Sequence, residues 1–329
     1  MRGIYNGVYP LCQLRKVAGQ GHLHGHRNQV PALPGDQRLE GQTEPRTRAP
    51  RSVQFGNRLT MPSDTTFRAI APTEPAAPYV GGKRNLARRI IELIDATPHD
   101  CYAEPFVGMG GVFLRRSKAP RSEVINDASQ DVATFFRILQ RHYPQFMDTL
   151  RFQITSRSRF EQLVRTDPTT LTDLERAARF LYLQRLSYGG KVAGRTFGVD
   201  GGRGGRFNLN TIGPRLEELH ERLAGVVVEN LDFEMFLTRY DRASTLFYLD
   251  PPYWGTEGFY GKALFTRADF ERLATALRGL QGRFILSIND RPEVRQTFSG
   301  FAMTEVATTY TVQGKGASTP AAELIISTP

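Results

Sequence analysis

The residues best suited to chemistry are Asp250-Pro251-Pro252-Tyr253, which follow the apolar run Leu246 to Leu249. A run of that kind reads as a short buried strand. The two prolines end it, because neither can donate to a ladder and each fixes its own φ. A carboxylate, two rigid carbonyl-bearing residues and an aromatic ring are thereby held at the carboxyl edge of a sheet, where open α/β sheets bind ligands. An exocyclic amine on a flat base can donate to Asp250 and to a Pro carbonyl while the base stacks on Tyr253. Taken alone, the tetrapeptide also describes a strand that ends in a Pro-rich turn.

A second cluster follows the predicted strand 101–104. It is the turn Phe106-Val-Gly108-Met-Gly110-Gly111. Small residues let backbone N–H groups approach a ligand at a helix N-terminus, so Phe106, Gly108 and Gly110 form a candidate cofactor cradle. Asp127 lies 17 residues after Gly110, at the tip of the next predicted strand, 122–126. An acid there accepts from the ribose hydroxyls of a nucleoside cofactor. The third cluster is Asn230-Leu-Asp232-Phe233. Asp232 can accept from an adenine amine while Phe233 packs on the ring; Asp232 also reads as a helix N-cap, and the two roles are compatible. No metal-ligand cluster is evident. Cys12 and Cys101 give neither a disulfide framework nor a zinc pattern, which fits a reducing cytoplasm.

The elements that must position these residues alternate. Helical periodicity is predicted over 85–94, from near Val112, over 128–142, 157–165 and 173–187, and over 214–224 with Pro214 at its start. Further strands are predicted at 226–229, 246–249 and 284–288, with a closing pair at 302–312 and 323–327. Alternating strands and helices imply an α/β, Rossmann-like, mostly parallel sheet with helices on both faces. Residues 1–70 lack either period. They read as a disordered arm or a spurious extension, with a fresh start at Met61. His22, His24 and His26 fall in this tail and read as part of a flexible polar segment.

Together these residues resemble the Dam-type N6-adenine DNA methyltransferases, those with the alpha order of motifs. The resemblance runs from Tyr79 to Ser327. Tyr79-Val-Gly81-Gly82-Lys83, Glu104-Pro105-Phe106-Val-Gly108-Met-Gly110, Asn126-Asp127, Asp232-Phe233, Asp250-Pro-Pro-Tyr253 and Glu323-Leu-Ile-Ile occur in the family's order. It implies S-adenosylmethionine as cofactor, bound by Tyr79, Lys83, Asp127 and Asp250. It also implies a seven-stranded sheet with one antiparallel hairpin and a helical target-recognition insert. The expected division is then 71–140 for the cofactor-binding part, 141–225 for the insert and 226–329 for the catalytic part. Direct methyl transfer to the N6 amine of adenine in double-stranded DNA is the expected reaction, with the base flipped out of the stack.

Charge points the same way. The chain carries a net +10, but its first 60 residues hold nine Lys and Arg against three acids, so whole-chain charge says little. The stretch Arg176–Arg206 holds seven basic residues against Asp200 alone, and its second half is rich in glycine. Arg on a mobile Gly loop suits contacts to phosphates and grooves. Arg185, Tyr188, Lys191, Arg195, Arg203 and Arg206 are the candidate DNA-binding residues. GATC-specific relatives place an Arg just after a Tyr-Asn-Gly-type turn; here Tyr188-Gly189-Gly190 is followed by Lys191, and Arg195 is displaced. No run approaches the about 18 apolar residues of a membrane span. A cytoplasmic enzyme is expected, bacterial or phage-encoded, paired with a restriction endonuclease or acting as an orphan. The rival readings are an RNA or protein-amide methyltransferase, a dinucleotide-dependent oxidoreductase, and a non-catalytic DNA-binding relative.

Overall fold

A computed structural model of the chain describes residues 67–198, 202, 204–259, 264–311 and 318–328. In chain order the first elements are β1 (Arg68–Ala69), α1 (Ala87–Ala96), β2 (Cys101–Glu104), β3 (Lys118–Ala119), β4 (Ser122–Asn126) and α2 (Gln130–Arg141). Then come α3 (Tyr143–Leu150), α4 (Arg157–Arg165), α5 (Asp173–Leu186), α6 (Leu209–Arg222), β5 (Val227–Glu229) and α7 (Phe233–Tyr240). The chain closes with β6 (Thr245–Leu249), α8 (Arg267–Arg278), β7 (Arg283–Asn289), α9 (Pro292–Thr297), β8 (Ala302–Thr311) and β9 (Ser318–Ser327).

Seven strands form one sheet in the order β5-β4-β2-β6-β7-β9-β8. The first five run parallel. β9 is antiparallel to both β7 and β8, the expected closing hairpin. The strand order reverses between β2 and β6, which opens a crevice at their carboxyl ends. β6 shows why the sheet is buried on both faces. Leu246 and Tyr248 join one core with Ile90, Phe113 and Phe135, while Phe247 and Leu249 join a second with Phe236, Phe270 and Phe298. Alternation along a strand sends successive side chains to opposite faces. Each such aromatic or aliphatic burial contributes about 1.5–3 kcal/mol.

The insert α3–α6 packs around α5. Thr172 and Glu175 cap α5 reciprocally: Thr172 N–H donates to Glu175 Oε2 at 3.0 Å, and Glu175 N–H to Thr172 Oγ at 3.4 Å. α5 is then buried nearly all round, from Arg176 to Gln184.

Four features differ from the sequence reading. Arg68–Ala69 pairs antiparallel with Lys118–Ala119, so the ordered fold reaches back before residue 70. The rest of the expected tail, with its histidines, lies outside the described residues. The helix expected near Val112 is a single 3₁₀ turn, Phe113–Arg115, because the backbone turns extended at Arg116. α6 begins five residues before Pro214, because the Asn208 side chain accepts from Asn210 N–H at 3.0 Å and caps it there. α3 was not anticipated; Pro144 in its first turn is the signal that marks it.

A buried charge cluster ties the start of the sheet to α6. Glu123 accepts from Arg116 Nη1 at 2.7 Å and from Arg222 Nη1 and Nη2 at 2.8 Å each. The two guanidiniums lie over the rings of Tyr102 and Phe113, at 3.9 and 4.0 Å from the centroids. All three side chains are buried. Removing one partner of such a cluster leaves charge uncompensated in a low dielectric, at about 3–5 kcal/mol. Glu123→Gln is therefore expected to lower unfolding free energy by about that much in urea titration. A change within about 1 kcal/mol would show that water or relaxation rescues the two arginines.

Candidate active site

Asp250 follows β6 directly, and Pro251 and Pro252 are buried beneath it. Asp250 Oδ1 lies 2.5 Å from Lys83 Nζ and accepts from Ser287 Oγ of β7 at 3.4 Å. Lys83 is 4% exposed. Its ammonium also donates to the Tyr253 hydroxyl at 2.5 Å and approaches Gly81 O at 3.5 Å, so its three protons have three acceptors. The same nitrogen sits 4.3 Å from the Tyr253 ring centroid. Glu323, on β9 and 1% exposed, hydrogen-bonds the Tyr253 hydroxyl. Burial pushes the carboxyls of Asp250 and Glu323 above the usual range, and the Lys83 ammonium opposes the shift in both.

The loop after the tetrapeptide is pinned by a residue that the sequence reading passed over. Asn289, at the end of β7, accepts from Trp254 N–H at 2.9 Å and donates to Trp254 O at 3.0 Å. A side-chain amide paired to both polar groups of one residue fixes that backbone. Its position at a strand's carboxyl end was the available clue.

The other half of the site is a cavity of about 410 Å³ over the carboxyl ends of β2 and β6. That volume falls within the range for small-molecule sites. Tyr79, Lys83, Phe106, Gly108, Asp127 and Asp250 all line it. Gly108 has φ +51°, and a Cβ there would meet the Tyr79 ring at 3.1 Å, so only glycine fits. Gly110 has φ +78°, and a Cβ would strike Leu114 at 2.8 Å; it shapes the turn without lining the cavity. Asp127 accepts from Gly108 N–H at 2.9 Å and Ser129 N–H at 2.8 Å. Burial raises its carboxyl to about 6, and those two amides pull it back down. A carboxylate has about four acceptor positions, so two remain for ligand hydroxyls. Asn126 braces the rim by donating to Pro105 O and Leu231 O at 3.0 and 3.1 Å. This lining, with apolar rings beside an acid and a glycine cradle, fits a nucleoside-bearing group.

Glu104 also faces the cavity and was not a sequence candidate. Tyr102 O–H donates to its Oε2 at 2.6 Å, and burial raises it to about 8, so it holds a proton at neutral pH. Asp232 and Phe233 do not line the cavity. Asp232 caps α7 through Glu234 N–H at 2.9 Å and pairs with Arg272 at 3.2 Å. Phe233 lies behind Phe106, centroids 5.7 Å apart, and Phe265 takes the lining position instead.

The basic stretch is largely turned inward. Arg176 and Arg179 pair with Asp131 at 2.5 and 3.7 Å. Arg185 donates to Ala76 O at 3.0 Å and to Arg206 O at 3.1 Å, and borders the cavity. Arg195 Nη2 donates to Gln184 Oε1 at 3.4 Å, and burial lowers its guanidinium to about 10. Several of the charges counted in the sequence are thus taken up inside the protein, by Asp131 or by neutral acceptors. Tyr188 and Lys191 remain exposed, and Arg206 is half-buried. Arg203 lies outside the described residues. Among the described residues, no group of three or more His, Cys, Asp and Glu could hold a metal ion, and no helix is long and apolar enough to cross a membrane.

Comparison with known proteins agrees with this geometry. Residues 79–312 match the family model of D12 class N6 adenine-specific DNA methyltransferases. The type II methyltransferase M.CviBI of Paramecium bursaria Chlorella virus NC1A is 23% identical over 243 residues, 72% of this chain and 91% of the relative. The type II methyltransferase M1.LlaDCHI of Lactococcus lactis subsp. cremoris is 26% identical over 264 residues, 74% of this chain and 91% of the relative. Three solved structures align only loosely, at TM-scores of 0.30 to 0.35 and 11% to 14% identity, and one of them is a complex with SAH. With more than half of its length matched by that family model, the chain belongs to the D12 class of N6 adenine-specific DNA methyltransferases, which methylate adenine in DNA from S-adenosylmethionine.

Proposed function

We propose that Asp250, Pro251, Pro252 and Tyr253 act on the adenine amine, while Tyr79, Lys83, Phe106, Gly108 and Asp127 bind the cofactor and Gly110 shapes the turn that presents Gly108. The observation that carries this reading is the half-buried Asp250 carboxylate at the end of β6, lining the cavity and paired with Lys83. S-adenosylmethionine, when bound, supplies an electrophilic methyl group on a sulfonium. The N6 lone pair of adenine is delocalised into its ring. Acceptance of its protons by Asp250 and by the Pro251 carbonyl favours a more tetrahedral nitrogen. Asp250 is then the nearest base for the proton that N6 releases. Lys83 and Ser287 both meet Asp250 at Oδ1, so Oδ2 is the oxygen this reading assigns to the amine. Positioning and fixed electrostatics supply most of the rate.

The substrate in this reading is double-stranded DNA, with the target base flipped out at about a few kcal/mol. Stacking on Tyr253 offsets about 1–3 kcal/mol of that. The division into a cofactor part to residue 140, a recognition insert at 141–225 and a catalytic part from 226 is consistent with α3–α6 lying outside the sheet. Both curated relatives are type II methyltransferases, and the reading for this chain is either pairing with a restriction endonuclease or action as an orphan. Asp232 and Phe233 enter only as support for Phe106 and α7. Tyr188 and Lys191 are the candidates best placed to reach DNA, with Arg203 and Arg206 as phosphate contacts.

Three outcomes test this. Asp250→Ala is expected to cut radiolabelled methyl incorporation into DNA by more than about a hundredfold, since loss of positioning alone reaches that size. Activity within about tenfold of wild type would reject the assignment. Asp127 must be ionised to accept ribose hydroxyls, and its raised value of about 6 sets the pH window. Its carboxylate protonates as pH falls through about 6, so S-adenosylmethionine affinity should drop about tenfold between pH 7 and pH 5. Asp127→Asn should bind weakly and show no such slope in titration calorimetry; a slope kept in that variant would point to another group. Lys191→Ala should relax one position of the methylated sequence at a cost of about 1–3 kcal/mol if Lys191 touches a guanine edge. Sequencing of modified adenines reads this directly, and an unchanged motif would move the reader elsewhere.

A further inference from the structure

Two segments more than a hundred residues apart meet at one buried side chain, Gln184, near the end of α5. Its amide nitrogen donates to Pro78 O at 2.8 Å and to Gly190 O at 2.6 Å. Its Oε1 accepts from Arg195 at 3.4 Å. Gly190 O also accepts from Val80 N–H at 3.1 Å. A Cβ on Gly190 would lie 2.9 Å from Pro78 C and 3.0 Å from Tyr79 N. The strip Pro78–Val80 and the turn Tyr188–Gly190 are thus packed backbone against backbone, with Gln184 bonded to a carbonyl of each. The strip carries Tyr79, whose ring covers Gly108 in the cofactor cavity. The turn carries the exposed Tyr188 and Lys191. Three residues beyond the turn, Ala193 N–H donates to Phe259 O at 3.1 Å, in the loop that follows the tetrapeptide.

We propose that Gln184 is a positioning residue that couples the two binding events, so that DNA on the turn and cofactor in the cavity each tighten the other. This rests on the reading of the Tyr188–Lys191 turn as a DNA-facing surface. The argument is one of shared contacts. Gln184 is fully buried, so a shift of either backbone segment breaks or strains its bond to the side chain that also holds the other. A ligand that fixes one segment therefore fixes the other, and the ordering is done once. Such coupling is reciprocal by thermodynamic necessity.

The test uses the full chain and S-adenosylhomocysteine, which has no methyl to transfer, with a duplex that contains the chain's own mapped methylation sequence. Calorimetry gives the affinity for S-adenosylhomocysteine without DNA and at saturating DNA. In wild type the ratio is expected to be at least about fivefold, and DNA affinity should gain the same factor when S-adenosylhomocysteine is present. Gln184→Met keeps the length and removes the donors; its ratio is expected to fall to near one, and Gln184→Glu should not restore it. Gly190→Ala reaches the same contact from the opposite side and should also abolish the ratio. A ratio near one in wild type overturns the coupling without any variant. So does a wild-type ratio retained in folded Gln184→Met and Gly190→Ala. Wild type that binds S-adenosylhomocysteine but no duplex would overturn the DNA-facing reading of the turn, and the proposal with it.

Discussion

The pairing of Asp250 with Lys83 is the constraint on which the rest of the site depends. A carboxylate withdrawn from water at the end of a central strand is costly unless a cation or donors compensate it. Lys83 supplies the cation, and it can do so only if the strip Tyr79–Lys83 runs over the carboxyl ends of β2 and β6. That path lays the Tyr79 ring on Gly108, which must lack a side chain. It brings the ammonium to the Tyr253 hydroxyl, which with Glu323 orients the ring. The cavity and the Asp250–Tyr253 edge thus meet at one ion pair.

Charge inside this region is kept low by other means as well. Glu104 retains its proton at neutral pH, because burial raises it to about 8 and the neighbouring Asp250 charge adds to the shift. The cavity floor therefore carries less negative charge than its residue types suggest. Deeper in the sheet the imbalance has the opposite sign, since two arginines share Glu123 and rest their planar faces on aromatic rings. Weak hydration of the guanidinium makes that burial tolerable where an ammonium would not be.

Much of this was legible from residue types. The run before Asp250 and the two prolines marked β6 and its end, because both signals are local. Gly108 and Asp127 were legible for the same reason: a turn and a strand tip can be read from spacing. What failed was anything that depended on a distant partner. Arg176 finds Asp131 45 residues away, so a count of charges along the chain overstated the basic surface. Phe233 and Phe265 are equally aromatic, and only the packing of α7 and α8 decides which one faces the cavity. Pro214 misled because Asn208, a stronger cap, lay upstream.

The neighbouring glycines 189 and 190 have nearly the same backbone, at φ +65° and +66°, but opposite surroundings. A Cβ on Gly189 would meet nothing within 4 Å beyond its chain neighbours, while one on Gly190 would press against the backbone of Pro78 and Tyr79. A side chain therefore has room at one position and none at the next. Asn tolerates a left-handed backbone better than other side chains, so Gly and Asn can exchange at 189 at small cost. A side chain at 189 would leave the strip that carries Tyr79 in place, whereas any side chain at 190 would press on the backbone of that strip.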